Sequence, residues 1–271
     1  MQERREAEAN AARRKRRAAI AAVVVAGAAV VAGGFWAARS GGSGASPSPG
    51  ANSVAKAKDG PLVTPGLADG VNALVYGDKK APHTLDVYED PRCPFCGIVE
   101  RGLGEEMQRQ ADAGKYKIVY HLASFLDGPS GSGSKNAVSA LAAAANQGPK
   151  QFAALHAELY KDQPDEREDV FADSAKLLAL AARAPGLDQA ALKADVDKGT
   201  YVPWAIRHNE TVNKSLEKTW QDNSLPGRPG TPAVLLDGHR LEVLTGGGGA
   251  EVKAVGAKEF TALVDAALPT R

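Results

Sequence analysis

The sequence has almost no cysteine. There are two thiols in 271 residues, and they stand together as Cys93-Pro94-Phe95-Cys96. Without a third thiol a framework of several structural disulfides is excluded, and in an oxidising compartment the pair has no other cysteine with which to mispair. An excess of charge is lacking too. The 33 basic side chains face 32 acidic ones, so the whole-chain balance gives no argument for nucleic acid, whose binding needs surplus positive charge to displace counterions. The glycine run Gly246 to Gly249 is not followed by the Lys-Ser/Thr pair of a phosphate-cradling loop and reads as a flexible turn. No internal repeat is visible, and no serine–histidine–acid constellation stands out in the spacing.

The N-terminal part differs in composition from the rest. Residues 1–17 form a basic segment ending in Arg13, Arg14, Lys15, Arg16 and Arg17. From Ala18 to Ala38 no residue is charged, and Arg39 closes the run. At about 20 residues such a run is long enough to cross the hydrocarbon core as a helix. Positive charge ahead of it predicts a cytoplasmic N-terminus and an extracytoplasmic remainder, with the lipid bilayer as a partner. Ile20, Val23, Val24, Val25, Val30 and Val31 carry the apolar character, and Phe35 and Trp36 lie near the outer end. A signal peptide cut near Ser43-Gly44-Ala45 is the rival reading. A soluble core helix fits poorly because an amphipathic face is missing. Residues 39–66, rich in Gly, Ser, Ala and Pro, read as a tether.

Residues 67–271 carry the folded part. Strands are predicted over Asn72–Tyr76, Thr84–Tyr88, Tyr116–Leu122, Ala233–Leu236 and Arg240–Leu244, the last two around the turn Asp237-Gly238. Val99, Leu103 and Met107 recur at four-residue spacing, one face of a helix directly after the cysteine motif. Strand, helix, strand in that order predicts a parallel pair with a crossover. From about 128 to 220 the chain is Ala- and Leu-rich and reads as an inserted set of helices. Breaks are expected near Gly148-Pro149, Gln163-Pro164, Pro185-Gly186 and Gly199. Tyr201, Trp204 and Trp220 are expected to pack this insertion. Asp165 to Asp169 is expected to be a solvated helix start, Thr245 to Gly249 a loop, and Lys258 to Leu268 a final helix.

The cysteine spacing has a chemical reading. Thiol–disulfide exchange needs an attacking thiolate and a second thiol to resolve the mixed disulfide. Two intervening residues let both sulfurs meet when the first cysteine opens a helix, where unpaired N–H groups and the helix dipole favour the anion. Pro94 suits the first helical position. Arg92 adds a nearby positive charge, opposed by Glu89 and Asp90. On this reading Cys93 is the nucleophile and Cys96 the resolving thiol. Half of a zinc site is one alternative, but no second CxxC exists and His83, His121 and His156 show no ligand spacing. An inert structural disulfide is another, although so short a loop constrains the unfolded chain little. No cofactor or metal is expected. Gly230-Thr231-Pro232, before the strand Ala233-Val234-Leu235-Leu236, is by itself an ordinary turn, since cis X-Pro bonds are a minority.

Together, Thr84-Leu-Asp-Val-Tyr-Glu-Asp-Pro-Arg-Cys-Pro-Phe-Cys and the late Gly-Thr-Pro-Ala-Val resemble the DsbA-like branch of the thioredoxin superfamily, from about Asn72 to the C-terminus. The resemblance implies a thioredoxin-like α/β mixed sheet with an inserted helical domain, here preceded by the single transmembrane helix. It implies that Cys93 is an exposed attacking thiol, that Cys96 is its partner, and that a cis Thr231–Pro232 bond faces them and pairs with an extended substrate peptide. Two departures stand out. Many relatives carry an acidic residue six positions before the first cysteine; here that position is Val87, next to Asp86. The dipeptide Pro94-Phe95 lacks the histidine of strongly oxidising relatives. The activity implied is disulfide donation to exported proteins with free thiols, with a membrane redox partner re-oxidising the pair. A reductase or isomerase of the same fold, and a redox-inactive peptide-binding chaperone, are the alternatives.

Overall fold

The computed structural model describes residues 74–128 and 131–268, all within the compact unit Asn52–Arg271. The basic segment, the apolar run 18–38 and the tether lie outside the described residues. Among the described residues no helix is long and apolar enough to cross a membrane.

One five-stranded sheet organises the domain. Strands β1 (Leu74–Tyr76), β2 (Thr84–Glu89), β3 (Lys117–Leu122), β4 (Ala233–Leu236) and β5 (His239–Leu241) lie in the order β1-β3-β2-β4-β5. The β2–β3 pair is parallel, joined by α1 (Pro94–Asp112) as the crossover. The other pairings are antiparallel. Side chains alternate across the central strand β2. Leu85 and Val87 enter the main core with Val99, Leu103 and Met107 of α1, Ile118 of β3, and Phe260 and Val264 of α7 (Ala257–Ala267). Each such side chain contributes roughly 1.5–3 kcal/mol when fully buried. Tyr88 points to the other face and packs with Leu235, Val212, Leu216 and Trp220.

The insertion comprises α2 (Gly133–Gln147), α3 (Pro149–Lys161), a 3-10 turn (Val170–Ala172), α4 (Ser174–Ala181), α5 (Gln189–Lys198) and α6 (Val202–Asp222). Its breaks have local causes. Gly148 takes φ 146 and Pro149 then opens α3, whose first position needs no N–H. Gly199 ends α5 in the left-handed conformation. Asp173 and Asp188 cap α4 and α5 by accepting bonds from the first backbone amides. Tyr201, Trp204 and Trp220 are buried, as expected.

Three local expectations are corrected. The last strand of the main sheet is shorter than Arg240–Leu244. Thr245–Gly249 is not simply a loop: β6 (Leu244–Gly247) pairs with β7 (Ala250–Ala254) in a separate two-stranded sheet. Positive φ at Gly246 through Gly249 builds its irregular turn, and glycine supplies no alternating apolar pattern by which to recognise it. Residues 165–169 do not start an α-helix. Asp169, in the left-handed region, instead turns its carboxylate onto the amides of Ser132 and Gly133.

Candidate active site

Strand β2 runs straight into the cysteine motif. After Glu89 the chain turns, with the Cys93 amide bonding the Asp90 carbonyl at 2.9 Å. The buried Asp90 carboxylate fixes this turn, accepting from the Arg92 amide at 2.9 Å, the Ser134 hydroxyl at 2.7 Å and the Leu126 amide at 3.0 Å. Cys93 is the N-cap of α1 in an extended conformation, with Pro94 in the first turn. Its side chain therefore sits where the helix leaves its first N–H groups unpaired.

The two thiols differ in surroundings. Cys93 keeps 8% of its surface exposed, against 1% for Cys96. This corrects the exposed thiol that the resemblance implied: Cys93 is buried, tucked under the Thr231 loop, and Phe95, at 46%, is the exposed member of the motif. The Cys96 thiol is the main influence lowering the Cys93 pKa to about 7. Burial opposes it, and the backbone at Cys96 and Phe95 and the Thr231 side chain assist. Burial and the neighbouring Cys93 and Glu89 push Cys96 well above its usual value. One thiol is thus poised to ionise and the other to stay protonated.

The Thr231–Pro232 bond is cis. The antiparallel β2–β4 ladder pairs Tyr88 with Ala233, so the end of β2 meets the start of β4. Cys93 Sγ lies 3.7 Å from the Thr231 carbonyl oxygen, within reach of S–H donation. All four residues singled out from the sequence, Cys93, Cys96, Thr231 and Pro232, are brought to one place.

Arg92 does not act as expected. Its guanidinium lies 2.9 Å from Asp169 and 3.4 Å from Asp127 and donates to the Leu126 and Glu166 carbonyls. It braces two loops of the insertion and is not among the groups that lower Cys93. Asp86 does not supply the acid missing at Val87 either. It pairs with His121 at 2.7 Å, beneath the stacked Tyr88 ring.

The acid beneath the thiols is Glu89, which sequence reasoning read only as opposing Arg92. It is buried together with His156, and Glu100, also buried, keeps a small exposed edge. His156 Nε2 bonds Glu89 Oε1, and Nδ1 lies 3.6 Å from Glu100 Oε2. Burial raises both carboxyls to about 8; proximity to Glu89 adds to the effect on Glu100. Burial holds His156 below its ordinary value. One ligand atom from each of the three falls within 4.8 Å of the others, close enough to hold a metal ion. The available sequence signals were the i, i+4 pairs Cys96/Glu100 and His156/Tyr160, each on one helix face.

The thioredoxin family model matches residues 70–265. The reduced disulfide bond oxidoreductase DsbG of Mycobacterium tuberculosis is similar in structure, with TM-score 0.52 and 26% identity over 65% of this chain and 83% of that one. MdbA, a thiol-disulfide oxidoreductase from Corynebacterium diphtheriae, reaches TM-score 0.54 at 22% identity, covering 71% and 94% of the two chains, and speaks for the fold alone. The serine/threonine-protein kinase PknE of Mycobacterium tuberculosis is 31% identical over 153 residues, 54% of this chain, and the chain spans only 26% of that protein's length. A matching family model, a cysteine pair at a helix start and a cis-proline loop against it place the chain in the thioredoxin family, as a DsbA-like thiol–disulfide oxidoreductase.

Proposed function

We propose that the chain donates the Cys93–Cys96 disulfide to exported proteins on the outer side of a cell membrane. Residues 18–38 anchor it there, and a membrane partner re-oxidises it. The observation that carries the exchange chemistry is Cys93 at the N-cap of α1, 3.7 Å from the Thr231 carbonyl. A substrate thiolate attacks Cys93 Sγ, the Cys93–Cys96 bond breaks, and Cys96 leaves with the electron pair. A second substrate thiolate then attacks the substrate sulfur and releases Cys93 as a thiolate. The substrate's two thiols become a disulfide, and the enzyme's disulfide becomes two thiols. The lowered Cys93 pKa favours its departure in that second step. The loop before β4 offers backbone groups for pairing an extended peptide during the exchange.

Direction is tested by trapping the thiols of growing cells in acid and alkylating them. A pair found mostly oxidised supports donation. A mostly reduced pair overturns it in favour of a reductase or isomerase. Placement is tested with protease added to intact, wall-stripped cells. The domain should be digested, leaving a small membrane-bound N-terminal fragment; full protection overturns the external placement.

A further inference from the structure

Three side chains beneath the cysteine motif carry buried polar atoms that the fold leaves unsatisfied. Glu89 closes β2, Glu100 stands on α1 and His156 on α3. We propose that Glu89, Glu100 and His156 bind a divalent cation of the zinc type, which fastens the end of β2 and helix α1 to helix α3 of the insertion. Such a site serves the fold whichever way electrons pass through the cysteines.

Two independent observations point to a ligand there. The first is the convergence of donors. One ligand atom from each of the three residues lies within 4.8 Å of the others. His156 Nδ1 is 3.6 Å from Glu100 Oε2. That is beyond hydrogen-bond reach but close to the spacing of two donors that share a tetrahedral ion at ~2.0–2.1 Å. The second is what these side chains lack. Glu89, Glu100 and His156 keep 1%, 8% and 0% of their surfaces exposed. The bond between His156 Nε2 and Glu89 Oε1 satisfies one atom of each. Glu89 Oε2, Glu100 Oε1 and His156 Nδ1 have no hydrogen-bond partner among the described residues. Neither has the hydroxyl of the buried Tyr160, whose ring meets His156 edge-on at 5.1 Å. Buried polar groups are ordinarily paired, so four such atoms on neighbouring side chains call for a partner.

A dication suits the set better than water does. A water molecule has only two protons to give, whereas the three residues present three acceptors. A dication serves all three, and its charge matches that of the two carboxylates. Imidazole with carboxylate oxygens is a zinc-type donor set, whereas calcium asks for a larger shell of oxygens. The ligands stand on firm supports, since β2 is paired with β3 on one side and β4 on the other. An entry path exists as well: Glu100 and Tyr160 line a groove of about 640 Å³ that also touches Gly104, Gln108 and Ala157. The fourth position falls to the Tyr160 hydroxyl or to water from that groove. Cys96 packs on Tyr160 and is the thiol that could compete for the ion.

The test uses the full chain with the Cys93–Cys96 disulfide closed, so that neither sulfur can act as a ligand. The chain is stripped with a chelator, given zinc chloride and desalted. Wild type should retain one zinc per chain. Its thermal midpoint should rise by about 5 °C or more when zinc stands about a hundredfold above its dissociation constant. Glu100→Gln should weaken zinc binding at least about tenfold, since even an outer partner of a ligand is worth that much, and should remove the rise in midpoint. A wild-type chain that retains no zinc overturns the site. So does a Glu100→Gln chain that retains it equally, because the ion then sits elsewhere. Should Glu100→Gln fail to fold, Gly104→Ala serves instead, because the added Cβ would come 2.7 Å from Glu100 Oε2 and must displace that carboxylate. Weaker zinc binding is expected there too, and unaltered binding again overturns the proposal.

Discussion

Gln163 holds Cys93 from 70 residues away: its side-chain amide donates to the Cys93 carbonyl at 3.0 Å and to the Pro91 carbonyl at 2.9 Å. The insertion thereby grips the turn that presents the nucleophile. Gly97 leaves room for this, since a Cβ there would come 2.0 Å from Gln163 Oε1. Gln163→Ala should lower stability by about 1–2 kcal/mol through the two lost acceptor contacts. Urea unfolding of the reduced chain measures it. A midpoint equal to wild type would show that the contacts are replaced by solvent at no cost.

The Cys93 thiol should titrate near pH 7 for reasons other than its charged neighbour in sequence. Iodoacetamide alkylation of Cys93 in the reduced chain should rise with pH and level off above about 7, because only the thiolate reacts. Cys96→Ala removes the largest lowering influence and should move the inflection upward. Arg92→Ala should leave it in place, because the guanidinium is committed to Asp127 and Asp169. The same substitution should destabilise the fold by roughly 1.5–3 kcal/mol, since Asp127 and Asp169 lose the guanidinium but keep their backbone amide donors. An inflection moved upward by Arg92→Ala would restore the electrostatic role that the sequence suggested.

Stability should fall as the medium becomes alkaline. In the unfolded chain Glu89 and Glu100 ionise near the ordinary carboxyl value of 4.5, whereas in the metal-free fold they keep protons until about 8. Between those values the folded state binds more protons than the unfolded one, so raising the pH disfavours folding. The urea midpoint should therefore decline from about pH 5 to about pH 8 and flatten beyond it. Glu100→Gln should remove part of that slope. A midpoint that rises over the same interval would contradict the buried, protonated state of the pair.

Local periodicity made much of the architecture legible. The four-residue spacing of Val99, Leu103 and Met107 located α1, and Gly148-Pro149, Gln163-Pro164, Pro185-Gly186 and Gly199 located the breaks in the insertion. Glycine's lack of a side chain concealed the β6–β7 hairpin, whose turn end pairs Gly247 with Ala250. The cysteine pair and Thr231-Pro232 were recognisable because each is a short contiguous motif. The buried cluster of Glu89, Glu100 and His156 was not, because Glu89 and His156 are 67 residues apart and meet only when α3 packs beside the end of β2. Burial decides what those side chains do, and burial of a lone charged residue leaves no local signature. Arg92 misled for the same reason: its partners Asp127 and Asp169 come from distant loops.

The β2–β4 ladder has a consequence for how such a chain can change over time. Four rungs, from Leu85–Leu236 to Tyr88–Ala233, set the end of β2 against the start of β4 and so bring Cys93 beside Thr231. The insertion, which enters after β3 and leaves before β4, supplies Gln163, His156 and Tyr160 instead. Sheet register and the packing of the insertion thus act together in positioning the nucleophile. Helices of the insertion can lengthen or shorten away from Gln163 while the sulfur keeps facing its carbonyl, so this scaffold can vary at its periphery without rebuilding its centre.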